Sequence, residues 1–333
     1  MLVPFVFMPV AAFAVASGLL WLLTRPGLAR WVLDRPNERS LHAAPVPRTG
    51  GVAIMAGVAA AASVAVSVGT PFRDDVAVAL FLAFALAILS FVDDMRGLDI
   101  RLRLFAHMAA AAALLSQSAQ GMAIPALLAF PLLVWMTNLY NFMDGADGLA
   151  GGMALFGFGA YAAAAGVAGD AALAAVSASC AVAAAAFLLF NFHPARIFMG
   201  DAGSIPLGFL AGALGWLGWQ HGLWDAWFPV VVFSPFIADA TITLLYRLVR
   251  GERVWQAHRE HLYQRLVRLG WGHRGTALAE YALMGVCAAA ALLFREAQAQ
   301  YITAMLVALT LAYALLVTLV VRAWRARFGK GVA

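Results

Sequence analysis

The chain has 333 residues, of which 64% are hydrophobic and 12% are charged, with a formal net charge of +5. Soluble domains carry about twice that share of charge, so a water-soluble enzyme is excluded. The surplus of base is spread over short segments between apolar runs, which excludes a nucleic-acid binder. What remains is an all-α, polytopic integral membrane protein, expected as a single catalytic domain over residues 1–333.

Runs of roughly 20 apolar residues predict eleven spans, at about 3–24, 51–69, 77–92, 104–118, 123–138, 148–168, 171–190, 205–219, 227–246, 277–294 and 302–321. No basic residue precedes the first run, and Arg25 and Arg30 follow it. That is the pattern of an uncleaved span with its C-terminal end in the cytoplasm. An outside start makes segments 25–50, 93–103, 139–147, 191–204, 247–276 and 322–333 cytoplasmic. They hold 20 of the 22 Lys and Arg, all but Arg73 and Arg295, as the positive-inside rule requires. Cys180 and Cys287 lie in apolar runs and read as buried thiols. Leu262, Leu266 and Leu269 predict a short amphipathic helix lying on the inner leaflet.

The polar residues that break these runs fall on the same predicted side. Arg48, with Arg35, Arg39 and His42, reads as a basic phosphate-facing loop before Gly50-Gly51. Asp93 and Asp94 end the third span in SFVDDMRGLDIRLRL. Neighbours on a helix point about 100° apart, so one can face a metal or nucleophile while the other faces elsewhere. The alternative is a solvated helix end neutralised by Arg96, Arg101 and Arg103. Asn138, Asn141, Asp144 and Asp147 recur every third residue in NLYNFMDGADGLAGG, a polar stripe on one helix face beside glycines that admit phosphate oxygens. FNFHPARIFMGDAGS places Asn191, Phe198, Asp201 and Ser204 in one short segment, where Phe198 can stack a base. His258 and His261 stand at i and i+3 beside Arg259 and Arg265, a pairing suited to phosphate. Asp239 is an acid inside the ninth span, a functional candidate by default.

PVPRTGG, FVDDMRGL, NLYNFMDGADGLAGG, FNFHPARIFMGDAGS and HREHLYQRL together resemble the polyprenyl-phosphate N-acetylhexosamine-1-phosphate transferases. This glycosyltransferase family 4-like group initiates O-antigen, common-antigen and teichoic acid synthesis, and includes the phospho-N-acetylmuramoyl-pentapeptide transferase. The resemblance implies an eleven-span enzyme of the bacterial inner membrane that needs Mg²⁺, or Mn²⁺. It would join a UDP-N-acetylhexosamine to polyprenyl phosphate and release UMP. It places Asp201, with Asp144 and Asp94, at the metal, and makes Asp93 the proposed base near the lipid phosphate. Asn138, Asn141 and Asp147 would line the nucleotide site, Asn191 and Phe198 would hold uridine, and His258 and His261 the diphosphate. A homodimer is among the oligomeric states left open. HREH replaces the three consecutive His of the pentapeptide branch, which points to the branch making O-antigen and related glycans. Gly97 stands at the third acidic position of the DDxx(D/N) pattern and supplies no ligand.

The residues suit that chemistry. Two anionic phosphates repel until cations and Arg or His donors screen them, and an all-oxygen site suits magnesium. A phosphate monoester is ionised near neutrality, so alignment matters more than a base. A pentapeptide transferase-like step is one alternative. A secondary transporter is another, but transporters gather polar groups at the bilayer midplane in paired halves, and here they gather at one face.

Overall fold

The computed structural model describes residues 3–27, 32–34, 45–69, 72–117, 123–253 and 258–329. Arg35, Arg39 and His42 of the basic loop lie outside the described residues. The chain is a multi-pass helical membrane protein, and nine helices among the described residues are long and apolar enough to cross a bilayer. In chain order these and the shorter elements are α1 (Val3–Leu23), β1 (Leu33–Asp34), β2 (Val46–Pro47), α2 (Gly50–Ser67), α3 (Asp74–Arg96), α4 (Ile100–Leu115), α5 (Ala123–Phe142), α6 (Leu149–Val167), α7 (Ala171–Asn191) and α8 (Asp201–Gln220). They continue as α9 (Trp227–Val232), α10 (Ser234–Val249), α11 (Leu262–Leu266), a π-helical turn (Val267–Trp271), α12 (Gly272–Phe294) and α13 (Ala299–Phe328).

Two of the expected spans take another form. The fourth is α4, whose 16 residues reach about 24 Å at 1.5 Å per residue, short of a ~30 Å hydrocarbon core. The ninth is broken at Phe233 into α9 and α10. Pro235 lacks an N–H and cannot continue the ladder there, so α10 starts anew with that proline in its first turn. Residues 33–34 and 46–47 pair as a two-rung antiparallel ladder, which hydropathy alone did not reveal.

α8 is the hub. Almost every residue from Ala202 to Gly218 is buried, and it packs against α3 and α5. Small residues let it in: a Cβ on Gly51 would lie 2.2 Å from the Gly203 nitrogen, so α2 meets the first turn of α8 backbone to backbone. α13 is exposed along most of its length, with only Met305 and Trp324 buried, as a lipid-facing helix should be. Cys180 and Cys287 are buried free thiols.

The expected amphipathic surface helix is corrected. α11 is only five residues long, and its buried side chains are Tyr263, Gln264 and Arg265. Leu262, Leu266 and Leu269 are only partly covered. The segment is docked into the protein by its polar residues rather than floated on the leaflet by its leucines.

Candidate active site

The third helix delivers its two acids in different directions, as helical geometry requires. Asp93 turns toward α4: its Oδ1 accepts from the Leu98 N–H (2.6 Å) and its Oδ2 from Arg103 Nη1 (2.8 Å). Asp94 turns toward α8 and the segment before α2. It accepts from the Ala202 N–H at 3.2 Å and is ion-paired with the Arg48 guanidinium. Arg48 donates also to the Asp94 carbonyl at 3.3 Å. Arg103 Nη1 stands 3.5 Å from Asp201, so one guanidinium bridges the end of α3 and the start of α8.

Asp201 is the first residue of α8. Gly200 before it has φ +72°, and a Cβ there would lie 2.5 Å from the Arg48 carbonyl, a position only glycine fills without strain. Ser204, one turn on, donates to Asn141 Oδ1 at 2.8 Å and so ties α8 to α5. Asn138, a turn earlier on α5, donates to the Val134 carbonyl (2.7 Å), and its Oδ1 meets His107 Nδ1 at 3.2 Å.

The expected four-residue stripe stops where α5 ends at Phe142. Asn138 and Asn141 share a helical face; Asp144 and Asp147 sit in the following loop and diverge. Asp144 lies near Gly200, Asp201 and Asp94, and has no ion pair among the described residues. Burial, then the negative charges of Asp201 and Asp94, hold its pKa well above the ordinary carboxylate range. Asp147 is drawn away. Its Oδ2 meets His193 Nδ1 at 2.6 Å and accepts from the Ala195 N–H at 3.2 Å. Its own N–H donates to His273 Nδ1 at 3.1 Å, and the two imidazoles stack with centroids 5.5 Å apart.

Asn191 is buried, accepting from the Gly148 N–H (2.8 Å) and donating to the Ile197 carbonyl (2.8 Å), so its amide is spent on joining the two loops. Phe198 is tied through its backbone, its N–H donating to the Pro47 carbonyl and its carbonyl accepting from Gly50.

A cavity of about 410 Å³ opens between α3, α4, α5, α8 and the histidine loop. Asp93, Asn138, Asn141, Asp201, His258 and His261 line it, together with Arg103, His107, Ser90 and Gln264. Asp94, Asp144, Asp147, Asn191, Phe198 and Arg48 are not in its wall. Asp94 and Arg48 stand just behind it through Ala202, whereas Asp147 and Asn191 belong to the neighbouring His193–His273 corner. His258 and His261 lie 4.8 Å apart, and His261 stacks on Phe142 at 6.5 Å. Burial, and next the nearby His261 and Arg247, push the His258 pKa down to about 4, so its imidazole is neutral near pH 7.

The wall of the cavity therefore sets polar groups of both signs among the apolar Leu89, Ile100, Leu104, Phe142 and Ile205, and its polar part can hold a charged oxygen-rich ligand. Asp144 fits a role beside a hard divalent cation: it is a carboxylate near Asp201 and Asp94 with no ion pair among the described residues, a charge that such a cation would relieve. Asp94 and Asp201 supply further oxygen donors. Among the described residues no three His, Cys, Asp or Glu side chains stand close enough to share one metal ion, and Arg48 and Arg103 occupy oxygens of Asp94 and Asp201.

The match to known proteins falls on this arrangement. A sequence model of glycosyl transferase family 4 matches residues 76–218, the stretch running from α3 through α8. Over that stretch the chain is similar to this family. It is 27% identical over 308 residues to a probable undecaprenyl-phosphate N-acetylglucosaminyl 1-phosphate transferase of Bacillus subtilis, covering 86% of this chain and 85% of that protein. A decaprenyl-phosphate N-acetylglucosaminephosphotransferase of Mycolicibacterium smegmatis is 28% identical over 330 residues, covering 86% and 80%. A phospho-N-acetylmuramoyl-pentapeptide-transferase of Geobacillus thermodenitrificans is 34% identical over 155 residues, 45% of each chain.

Sequence reasoning missed several residues in and beside this wall. Arg103 appeared only as a neutraliser of a helix end; its position on α4, facing back across the tight Gly97–Asp99 turn, was the signal. His107, one turn further along α4, carried the same signal. His193 and His273 gave none, because 80 residues separate them in sequence and only the fold stacks them.

Proposed function

We propose that this protein transfers N-acetylhexosamine 1-phosphate from a UDP-sugar to polyprenyl phosphate, giving the polyprenyl-diphosphate sugar and UMP. The reaction would take place at the cytoplasmic face of a bacterial inner membrane and begin a cell-envelope glycan, of which lipopolysaccharide O-antigen is one. The observation that carries the reading is the mixed-charge cavity at one end of an apolar bundle, with Asp93, Asp201 and Arg103 on one wall and His258 and His261 on another. The relatives matched over most of the chain are named for this reaction class. The pentapeptide-transferase likeness covers less than half of the chain, and HREH lacks the triple histidine.

Two phosphate groups must be brought together against their repulsion. Arg103 places a fixed positive charge between Asp93 and Asp201, where it faces the cavity. His261 and the neutral His258 supply imidazole contacts for the diphosphate, and Asn138 and Asn141 amide contacts for bridging or sugar oxygens. Asp93, held by Arg103 and the Leu98 N–H, aligns the attacking lipid phosphate. Phe198, Asn191 and Asp147 frame the adjoining corner for uridine, and Arg48 reaches the lipid phosphate from the loop before α2. Asp144 is the residue that would hold Mg²⁺, with Asp201 and Asp94 as the neighbouring oxygen donors, although the three do not close on one point in this structure. When bound, that ion supplies electrostatic screening of the diphosphate and of the leaving UMP.

The test is incubation of the purified protein with undecaprenyl phosphate, Mg²⁺ and a panel of UDP-N-acetylhexosamines, with mass-spectrometric detection of the lipid product. One sugar is expected to give polyprenyl-diphosphate sugar, and chelation to abolish it. No lipid-linked product from any UDP-sugar would refute the reading.

A further inference from the structure

Asp239 takes no part in the cavity wall, yet it is a buried acid on α10, 4% exposed. Its carboxylate is saturated by one short segment and its own helix. Oδ1 accepts from the Leu262 N–H (2.9 Å), from Thr243 Oγ1 (3.1 Å) and from His261 Nδ1 (3.2 Å). Oδ2 accepts from the Tyr263 N–H at 2.9 Å. The two backbone donors are the first of α11, which have no partner inside that helix. The His261 N–H is closed separately, by Gln264 Oε1 at 3.2 Å. The whole turn that carries the second histidine is thus pinned to one carboxylate.

This pinning has a chemical consequence. An ionised carboxylate can only accept, so a hydrogen bond to it puts the proton on His261 Nδ1. Nε2, across the ring, makes no hydrogen bond among the described residues, and His261 borders the cavity. We propose that Asp239 is a positioning residue that fixes His261 with Nδ1–H bound, so that Nε2 is the ring atom offered to a phosphate group of the substrates. This rests on the transferase reading only for what the cavity binds; the tautomer does not depend on it.

Two measurements test it. Selective ¹⁵N-histidine spectra of the wild-type protein in detergent, with His261→Gln to assign the signal, should show Nδ1 protonated and Nε2 bare at neutral pH. A neutral ring protonated on Nε2 would overturn the proposal, whether or not the protein transfers any sugar phosphate. The second is a double-mutant cycle on lipid-linked product formation. Asp239→Asn should lower kcat/KM about ten- to a hundredfold, and Asp239→Asn with His261→Ala should be no slower than His261→Ala alone. Losses that multiply would mean that Asp239 acts on the fold and not through His261. Should Asp239→Asn fail to fold, Asp239→Glu takes its place in the cycle. Thr243→Val, which removes the donor supplied by Asp239's own helix, should leave the rate within about twofold. A wild type that yields no product, with the expected tautomer present, would sink the reaction and spare the assignment.

Discussion

The two ends of the bundle hold very different numbers of charges and use them differently. At the end where α3 and α7 begin and α8 stops, Arg73 donates to Asp170 at 2.9 Å and contacts the Nδ1 edge of His221. His221 Nε2 faces Asp75 at 2.6 Å. Asp75 and Asp170 each have a base against them, and the group clasps three helices. At the other end of α3, 18 residues or about 27 Å further along, Arg48 and Arg103 serve Asp94, Asp93 and Asp201, while Asp144 has no ion pair among the described residues. A closed ion cluster holds helices together. An unbalanced one is costly to bury and is kept where a ligand will complete it.

The sharpest way to break this contrast is Asp144→Asn. It removes a carboxylate whose charge is opposed by burial and by Asp201 and Asp94, so the folded protein should melt no lower than wild type, while turnover falls by about 10²–10³-fold. Thermal unfolding and product formation on the same preparation check both halves. A large drop in Tm would place Asp144 with the structural residues.

Arg103→Lys comes next. It keeps the charge but removes the guanidinium whose Nη1 stands between Asp93 and Asp201, and should cost about tenfold in kcat/KM. Wild-type kinetics would remove Arg103 from the chemistry.

At the closed end, His221→Ala should cost about 1 kcal/mol of stability, since Arg73 is half-exposed and its pairing is screened. It should leave kcat/KM within about twofold. A large kinetic effect would show that the ends are coupled.

The smallest effect concerns pH. His258 is pushed down to about 4, first by burial and then by His261 and Arg247, from an ordinary 6.5. The unfolded chain therefore holds more protons at this residue between those values. The stability His258 contributes is full above pH 6.5 and declines as the pH falls toward 4. His258→Gln should flatten that part of the stability curve, and its imidazole signal should titrate near pH 4 in wild-type protein. Titration at 6.5 would contradict the packing around it.

Much of this contrast is legible in the residues themselves. Apolar runs mark the helices because a span is uniformly greasy, and Asp93-Asp94 and Asp201 stand out because acids are rare in such a chain. What escapes is whatever depends on where a helix stops. The i+3 stripe from Asn138 to Asp147 looks continuous, but α5 ends at Phe142, so Asp144 and Asp147 part company and Asp147 goes to His193. Asn191 looks like a ligand for a base; only the fold shows its amide closing two loops. Asp239 shows as an isolated acid, and its purpose depends on a turn 22 residues away. Pro235 does carry a local signal for the break at Phe233, which hydropathy averages out.

The most direct measurement is UMP release by wild-type protein, Asp201→Asn and His221→Ala, assayed side by side with undecaprenyl phosphate and the accepted UDP-sugar in Mg²⁺. The account predicts lipid-dependent UMP from the wild type and from His221→Ala at similar rates, and almost none from Asp201→Asn. Turnover by Asp201→Asn near the wild-type rate, or UMP release that does not need the lipid, would contradict it.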